Sequence, residues 1–264
     1  MSSLICTTNH KYLPLTSAFL ESLACNSRDT FNRVIVRCVG FTHDFSSIPL
    51  NIITIRDNKK LCSRKKLFST EGGLINEYIS EGLQKSRIGF RGARWLYSEE
   101  MSYCSNIKTD TILQTLEKYD EPVVYSDVDT IIRGDISELI ATIQKHDICV
   151  VEDVSYTEQF GDVERLSHQD KLYQGGLIGF NNTNNTMKFA KEWKRLVMEN
   201  YVDWDADERY FYDTINVIPF INIGNIDTKF KDEDLSDTSL VWSGAGVTKY
   251  CDEKYTDEYS AYSS

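Results

Sequence analysis

No window of the 264-residue sequence approaches about 18 uninterrupted apolar residues, so no transmembrane span is expected. The opening MSSLICTTNHKYLPL has neither a basic segment nor a long apolar stretch. It does not read as a signal peptide, and the expected location is cytoplasmic. An excess of positive charge is also missing: 29 Lys and Arg stand against 40 Asp and Glu, a net charge of −11. That argues against nucleic-acid binding through a basic surface, while leaving room for a local basic pocket that takes a phosphorylated small molecule. No Cys-x-x-Cys pair occurs among the seven scattered cysteines, so structural zinc is not expected. Cys6, Cys38 and Cys149 lie in apolar, strand-like runs and read as buried free thiols. The four histidines show no paired spacing, and the chain has no internal repeat and no interdomain linker.

What is present is core-forming material: 41% hydrophobic and 12% aromatic residues in a length suited to one large domain. Ser3–Thr8 reads as a buried strand, Leu15–Cys25 as a helix, and Arg33–Val39 and Asn51–Ile55 as further strands. That order points to an α/β layered fold. Glu71–Leu83, Glu99–Lys118, Ile136–His146, Thr186–Glu199 and the stretch after Asp203 have helical character. Ile148–Glu152, Leu172–Asn181 and Val217–Ile223 read as strands, and Tyr156–Lys171 as a polar loop or lid. The basic run Arg64-Lys65-Lys66 reads as a solvated face. Residues 251–264 form an acidic, Tyr/Ser-rich tail expected to be poorly ordered, behind a domain spanning 1–250.

The most informative stretch is Val123–Asp135, VVYSDVDTIIRGD. In an extended segment, side chains alternate between faces. Asp127 and Asp129 therefore share one face while Val128 turns to the core. Two adjacent carboxylates at the end of a buried strand repel each other and lose solvation, which calls for a cation. A hard divalent ion held through oxygen answers that need, and such an ion commonly bridges to substrate phosphates. An Asp-rich turn that merely ends a strand is the plainer reading of the same residues.

Three features follow one another in order: SDVDTIIRGDISEL, then YQGGLIGFN, then WDADERYF. This arrangement resembles the GT-A superfamily of nucleotide-sugar glycosyltransferases, and most closely the retaining, glycosyltransferase family 8-like subset with an Asp-x-Asp motif. The resemblance implies a single Rossmann-like GT-A domain, with a mixed, mainly parallel sheet flanked by helices. It implies transfer of a hexose or similar sugar from a UDP- or GDP-sugar to a hydroxyl acceptor, of the glycan or protein-linked glycan kind, with Mn²⁺ or Mg²⁺ as cofactor. Carried over residue by residue, Asp127 and Asp129 match the metal-binding pair, and Asp127 also meets the ribose. Thr7, Asn9 and Tyr12 follow the first strand, where the family grips the nucleotide. Lys108 lies where a basic residue meets donor phosphate or sugar. Gln174, Gly175 and Gly176 match the turn that lines the sugar, Asp207 and Glu208 the acidic pair facing donor and acceptor, and Lys249 a lysine that holds the diphosphate.

One departure stands out. Where many relatives carry a histidine ligand, the stretch Trp242–Lys249 has Ser243, so the ion keeps more waters or uses another ligand such as Asp234. Retention is favoured by the resemblance alone; in an inverting enzyme, Asp207 or Glu208 would be the general base. Two alternatives remain at this point. A sugar-nucleotide nucleotidyltransferase normally shows a glycine-rich loop near the N-terminus, whereas Ile5–Leu15 has no glycine. A catalytically degenerate nucleotide-sugar binding protein would account for the missing histidine. Each acidic or basic candidate also has a plain structural reading: Asp207 and Glu208 suit the first turn of any helix, and Gly175-Gly176 suits a bulge.

Overall fold

The computed structural model describes residues 2–61, 65–69, 74–78, 93–152, 173–201, 206–243 and 248–263, with 65–69, 74–78, 93–98 and 248 described for backbone only. The basic run at 64–66 and the lid at 156–171 fall outside the described residues or side chains. In chain order the strands and helices begin with Ser3–Asn9 (β1), Leu13–Asn26 (α1), Arg33–Val39 (β2), Ile52–Asp57 (β3), Lys65–Ser69 (β4), Leu74–Tyr78 (β5) and Ala93–Ser98 (β6). Glu99–Asn106 (α2), Lys108–Lys118 (α3), Val123–Ser126 (β7), Ile131–Ile132 (β8), Ser137–Ile143 (α4), Ile148–Glu152 (β9) and Tyr173–Phe180 (β10) follow. The chain continues through Asn184–Glu199 (α5), Ala206–Val217 (α6), Ile223–Asn225 (β11), Val241–Trp242 (β12) and Glu253–Ala261 (α7).

Seven strands form one sheet in the order β11-β9-β10-β7-β1-β2-β3. β7, β1, β2 and β3 run parallel, β9 and β11 are parallel to each other, and β10 is antiparallel to both its neighbours. The sheet is therefore mixed and mostly parallel, with helices on both faces, as expected. Its central strands are apolar at nearly every position because both faces are covered. Leu4, Cys6, Val34, Val36, Val124 and Cys149 face a layer containing Phe19 and Leu23 of α1 and Leu139 and Ile143 of α4. Ile5, Ile35, Val123, Tyr125, Ile148 and Val150 face the opposite layer, with Ile112 and Leu116 of α3 and Phe189 and Trp193 of α5. Cys6, Cys38 and Cys149 are free and buried within this core.

Local chemistry sets the ends of these elements. Asn9 accepts a hydrogen bond from the Tyr12 amide (3.1 Å), closing a short 3-10 turn over His10–Tyr12. α1 then starts at Leu13-Pro14, two residues before the sequence suggested. A proline in the first helical turn loses nothing, since amides there have no intrahelical acceptor. Arg37 on β2 donates to Asp57 of β3 (2.8 Å) and to Asp110 of α3 (2.7 Å). That buried network fixes the first turn of α3, which carries Lys108.

Three expectations need correction. Within Glu71–Leu83, read as helical, the described residues Leu74–Tyr78 form a strand paired antiparallel with β4, and Ile75 and Tyr78 are residues that favour strands. The run Val217–Ile223 is not a strand. α6 extends through Val217, Phe220 adopts a left-handed backbone (φ 65°), and the strand begins only at Ile223. Within the segment read as an acidic tail, Glu253–Ala261 is a helix. Asp252 caps α7, and Tyr255 (1% exposed) packs with Ile131, Leu235 and Trp242, supported by Tyr259 and Tyr262. Aromatics at 255, 259 and 262 follow a helical stripe, which the polar composition around them hid. Among the described residues, no helix is long and apolar enough to cross a membrane.

Candidate functional site

Because β10 runs against β7, its first residues meet the C-terminal ends of β7 and β1. In open α/β sheets, ligands bind in the crevice at this edge. The Asp127 amide donates to the Gly176 carbonyl (2.8 Å), joining the Asp-x-Asp turn to the start of β10. β7 ends at Ser126, and in the bend that follows Asp127 and Asp129 are half-buried while Val128 is buried. Asp127 Oδ1 accepts from the Tyr125 hydroxyl (2.8 Å), another side chain at period two. Burial, then the charges of Asp129 and Asp127, push the Tyr12 hydroxyl pKa up, so Tyr12 shares this neighbourhood.

Gln174-Gly175-Gly176 is part of β10 rather than a separate turn. Pairing with β9 shifts between Gln174 and Ile178, so the two glycines bulge away from the ladder. The space they leave is occupied. A Cβ at Gly175 would stand 3.0 Å from Asp207 Oδ2, 3.1 Å from Glu208 Oε1 and 3.2 Å from Lys108 Nζ. A Cβ at Gly176 would stand 2.8 Å from Asp127 Oδ2 and 2.9 Å from Lys231 Cε. The glycines are thus where the acidic helix, the Asp-x-Asp turn and two lysines converge.

Asp207 is held from three sides. Its amide donates to Asn106 Oδ1 (2.9 Å), its carbonyl accepts from Trp193 Nε1 (2.8 Å), and its carboxylate pairs with Lys108 Nζ at 2.5 Å. Lys108 is buried and also donates to the Gly175 carbonyl (2.9 Å). Burial works against its charge, but Asp207, Asp127 and Glu208 outweigh that and raise its pKa. Among the described residues, one ammonium therefore serves three carboxylates. Glu208 keeps part of its side chain in solvent, yet its carboxyl folds back to accept from the Gly175 amide (3.3 Å). Burial of that carboxyl and the neighbouring Asp207 charge push its pKa up to about 7.

The remaining candidates divide. Thr7 Oγ1 and Gln174 Oε1 are buried with no hydrogen-bond partner among the described residues, as expected of groups that await a ligand. Gln174 lies in a pocket with Tyr173, Tyr212 and Glu208, in which the two tyrosine rings stack at 5.5 Å. Asn9 is committed to the chain, capping the 3-10 turn and donating to Glu100 (3.1 Å). Lys108 is turned to Asp207 and Gly175 rather than left open to a phosphate. Lys249 reaches the Asp-x-Asp turn, with Nζ 2.7 Å from Asp129 Oδ2. Ser243 is buried and donates to the Asp232 carbonyl (3.2 Å), and Asp234 is exposed. Among the described residues, no group of three His, Cys, Asp or Glu side chains is gathered to hold an ion, so Asp234 is not assembled with Asp127 and Asp129.

Sequence reasoning missed Tyr125, Lys231 and Tyr255. Tyr125 was findable, since it precedes Asp127 by two residues. Lys231 opens the acidic run KDED, which conceals its place beside Gly176. Tyr255 donates to the Asp129 carbonyl (2.8 Å) from a segment read as tail.

No protein-family model matches the sequence, and no curated protein does either. Solved structures do match. The galactosyltransferase LgtC, in complex with donor and acceptor sugar analogues, aligns with a TM-score of 0.57 at 14% identity, over 100% of this chain and 95% of its own. The bifunctional glycosyltransferase WbbM aligns at 0.58 and 14% identity, over 100% of this chain and 49% of its own. GlyE of Streptococcus pneumoniae aligns at 0.54 and 11% identity, over 100% and 61%. The chain spans nearly all of LgtC but about half of WbbM. At these identities the likeness is one of fold: the chain has the GT-A fold of glycosyltransferases.

Proposed function

We propose that the chain transfers a sugar from a UDP- or GDP-sugar to a hydroxyl acceptor of the glycan type, with retention of configuration, acting in the cytoplasm. The observation that carries this reading is the convergence at Gly175 and Gly176 of Asp127, from the Asp-x-Asp turn, with the Lys108–Asp207–Glu208 cluster.

The donor set suits a divalent cation of the Mn²⁺ or Mg²⁺ kind. Asp127 and Asp129 offer two half-buried carboxylates two residues apart, the number with which such ions are held when substrate phosphates and waters complete the shell. When bound, the ion would stabilise the charge that develops on the departing nucleoside diphosphate. Lys231, half-buried and paired with the exposed Glu233 (3.1 Å), is placed to add positive charge beside Asp127. Thr7, Tyr12 and Asp127 bind the nucleoside, while Gln174 Oε1 and the Gly175-Gly176 backbone receive the sugar hydroxyls. Stacked Tyr173 and Tyr212 offer an apolar face to a sugar ring. Asp207, kept in place by Lys108, and Glu208 oppose the positive charge of an oxocarbenium-like centre. In an inverting course, Glu208 would instead take the acceptor's proton.

Calorimetric titration with UDP and GDP, with and without Mn²⁺, tests the reading. Binding of one nucleotide that strengthens with Mn²⁺ is expected; binding of neither overturns it. A panel of nucleotide sugars, with products resolved, then separates transfer from the activity of a binding protein that does no chemistry.

Glu208 acts in its charged form, so the rate should rise with pH through about 7. Glu208→Gln should abolish that limb and lower kcat by about 10²–10⁴-fold. The stability change has a fixed sign. Between about 4.5 and about 7 the folded chain binds more protons at Glu208 than the unfolded chain does, so its contribution declines as pH rises through that window. The Tm of Glu208→Gln should gain on the parent there. A pH–rate profile that keeps its limb in the Gln variant would assign the limb to another group.

A further inference from the structure

The Asp129 carboxylate already has a cation. Lys249 Nζ lies 2.7 Å from Asp129 Oδ2, 2.9 Å from the Asp129 carbonyl and 2.5 Å from the Ser243 carbonyl. Three acceptors thus satisfy the three protons of an ammonium whose side chain is 3% exposed. The same C-terminal segment reaches the turn twice more, through the Tyr255 hydroxyl on the Asp129 carbonyl (2.8 Å) and the Tyr250 hydroxyl 3.5 Å from Asp129 Oδ2. Ser243 therefore contributes a carbonyl to Lys249 rather than a ligand to the Asp-x-Asp turn. Asp127 differs: its Oδ1 is met by a neutral hydroxyl, that of Tyr125.

Resting on the donor-site reading above, we propose that Lys249 is the built-in counter-ion of Asp129 and competes with the divalent ion for that carboxylate. With no nucleotide present, Lys249 neutralises Asp129, and a second cation at the turn would be set against the ammonium. When the nucleoside diphosphate binds, Lys249 exchanges Asp129 Oδ2 for a phosphate oxygen and keeps its two carbonyls. Asp129 is then released to the ion. Ion and nucleotide consequently bind weakly alone and strongly together, with reciprocal coupling. Lys249 thus serves the carboxylate and the diphosphate in turn.

The test is a Mn²⁺ titration of the full chain without nucleotide, with free ion followed by electron paramagnetic resonance. Lys249→Met should bind Mn²⁺ about tenfold more tightly than the parent, and UDP should then strengthen Mn²⁺ binding less in the variant than in the parent. A lysine that serves only the diphosphate would leave the nucleotide-free affinity unchanged. Unchanged or weaker Mn²⁺ binding by Lys249→Met, while Asp129→Asn abolishes it, overturns the competition and leaves the donor site standing. Absence of Mn²⁺ binding by every variant, with UDP included, overturns the donor-site reading and the competition together. Lys249→Gln removes the charge but keeps donors for the two carbonyls. It repeats the titration should circular dichroism show that the Met variant does not fold.

Discussion

Asp129→Ala is expected to abolish Mn²⁺-dependent nucleotide binding and to reduce transfer by about three orders of magnitude or more, because the departing diphosphate loses its main charge stabilisation. The fold should survive, but with lower stability. Lys249 is buried, and without the carboxylate it keeps only two carbonyl acceptors. Leaving one donor unsatisfied costs about 1–3 kcal/mol. For a chain of this length that lowers Tm by roughly 2–4 °C per kcal/mol. Asp129→Asn separates the two effects. Its amide oxygen still accepts from Lys249, so most of the stability should return. Its neutral side chain does not replace a carboxylate as an ion ligand, so activity should stay as low as in the alanine variant. An Asn variant with full Mn²⁺-dependent nucleotide binding would remove Asp129 from the ion site.

Lys108→Met should be the most destabilising single change in the site. Lys108 and Asp207 are each 4% exposed at the side chain, 2.5 Å apart, with Glu208 and Asp127 close by. Removing the cation leaves buried carboxylates facing one another, at a cost of about 3–5 kcal/mol. The raised pKa of Lys108 keeps its contribution intact through neutral pH, to be lost only as pH rises through a value above 10.5. In the Met variant, protonation of the carboxylates is the remaining relief, so its deficit against the parent should shrink as pH falls below neutrality. Adding Asp207→Asn to Lys108→Met should recover part of the loss, a non-additivity expected of contacting residues. Thermal melts across pH on the four proteins of the cycle measure this, and a simple sum of the two single losses would break the proposed pairing.

What the sequence disclosed depended on how far apart the interacting residues lie along the chain. The burial of Val128 between two half-buried aspartates matches the expected pattern over three residues, although the strand itself ends at Ser126. The acidic first turn of α6 was legible for the same reason. Lys108 was read inside a single helix over Glu99–Lys118, which the structure divides after Asn106, and its partner is set by packing: α3, α5 and α6 must dock before Asp207 can reach it. Lys249 was expected to face phosphate and is instead turned inward on Asp129. No local pattern reveals that choice, since it depends on a C-terminal helix whose aromatic stripe is embedded in acidic residues. The Glu71–Leu83 error has the opposite origin, in which pairing with β4 overrode a helix-like pattern.

The tryptophans acquire a use from where they sit. Trp193 lines the pocket beside Gln174 and donates its indole proton to the Asp207 carbonyl, so its emission is tied to the acidic cluster. Trp242 lies under Arg133, with the guanidinium 3.7 Å from its ring centre, and packs with Tyr255 at the root of the C-terminal segment. Of the four tryptophans, these two stand in different halves of the site. A sugar bound beside Gln174 and a Lys249 that leaves Asp129 would address different fluorophores, and the change lost on replacing either indole by phenylalanine identifies its signal.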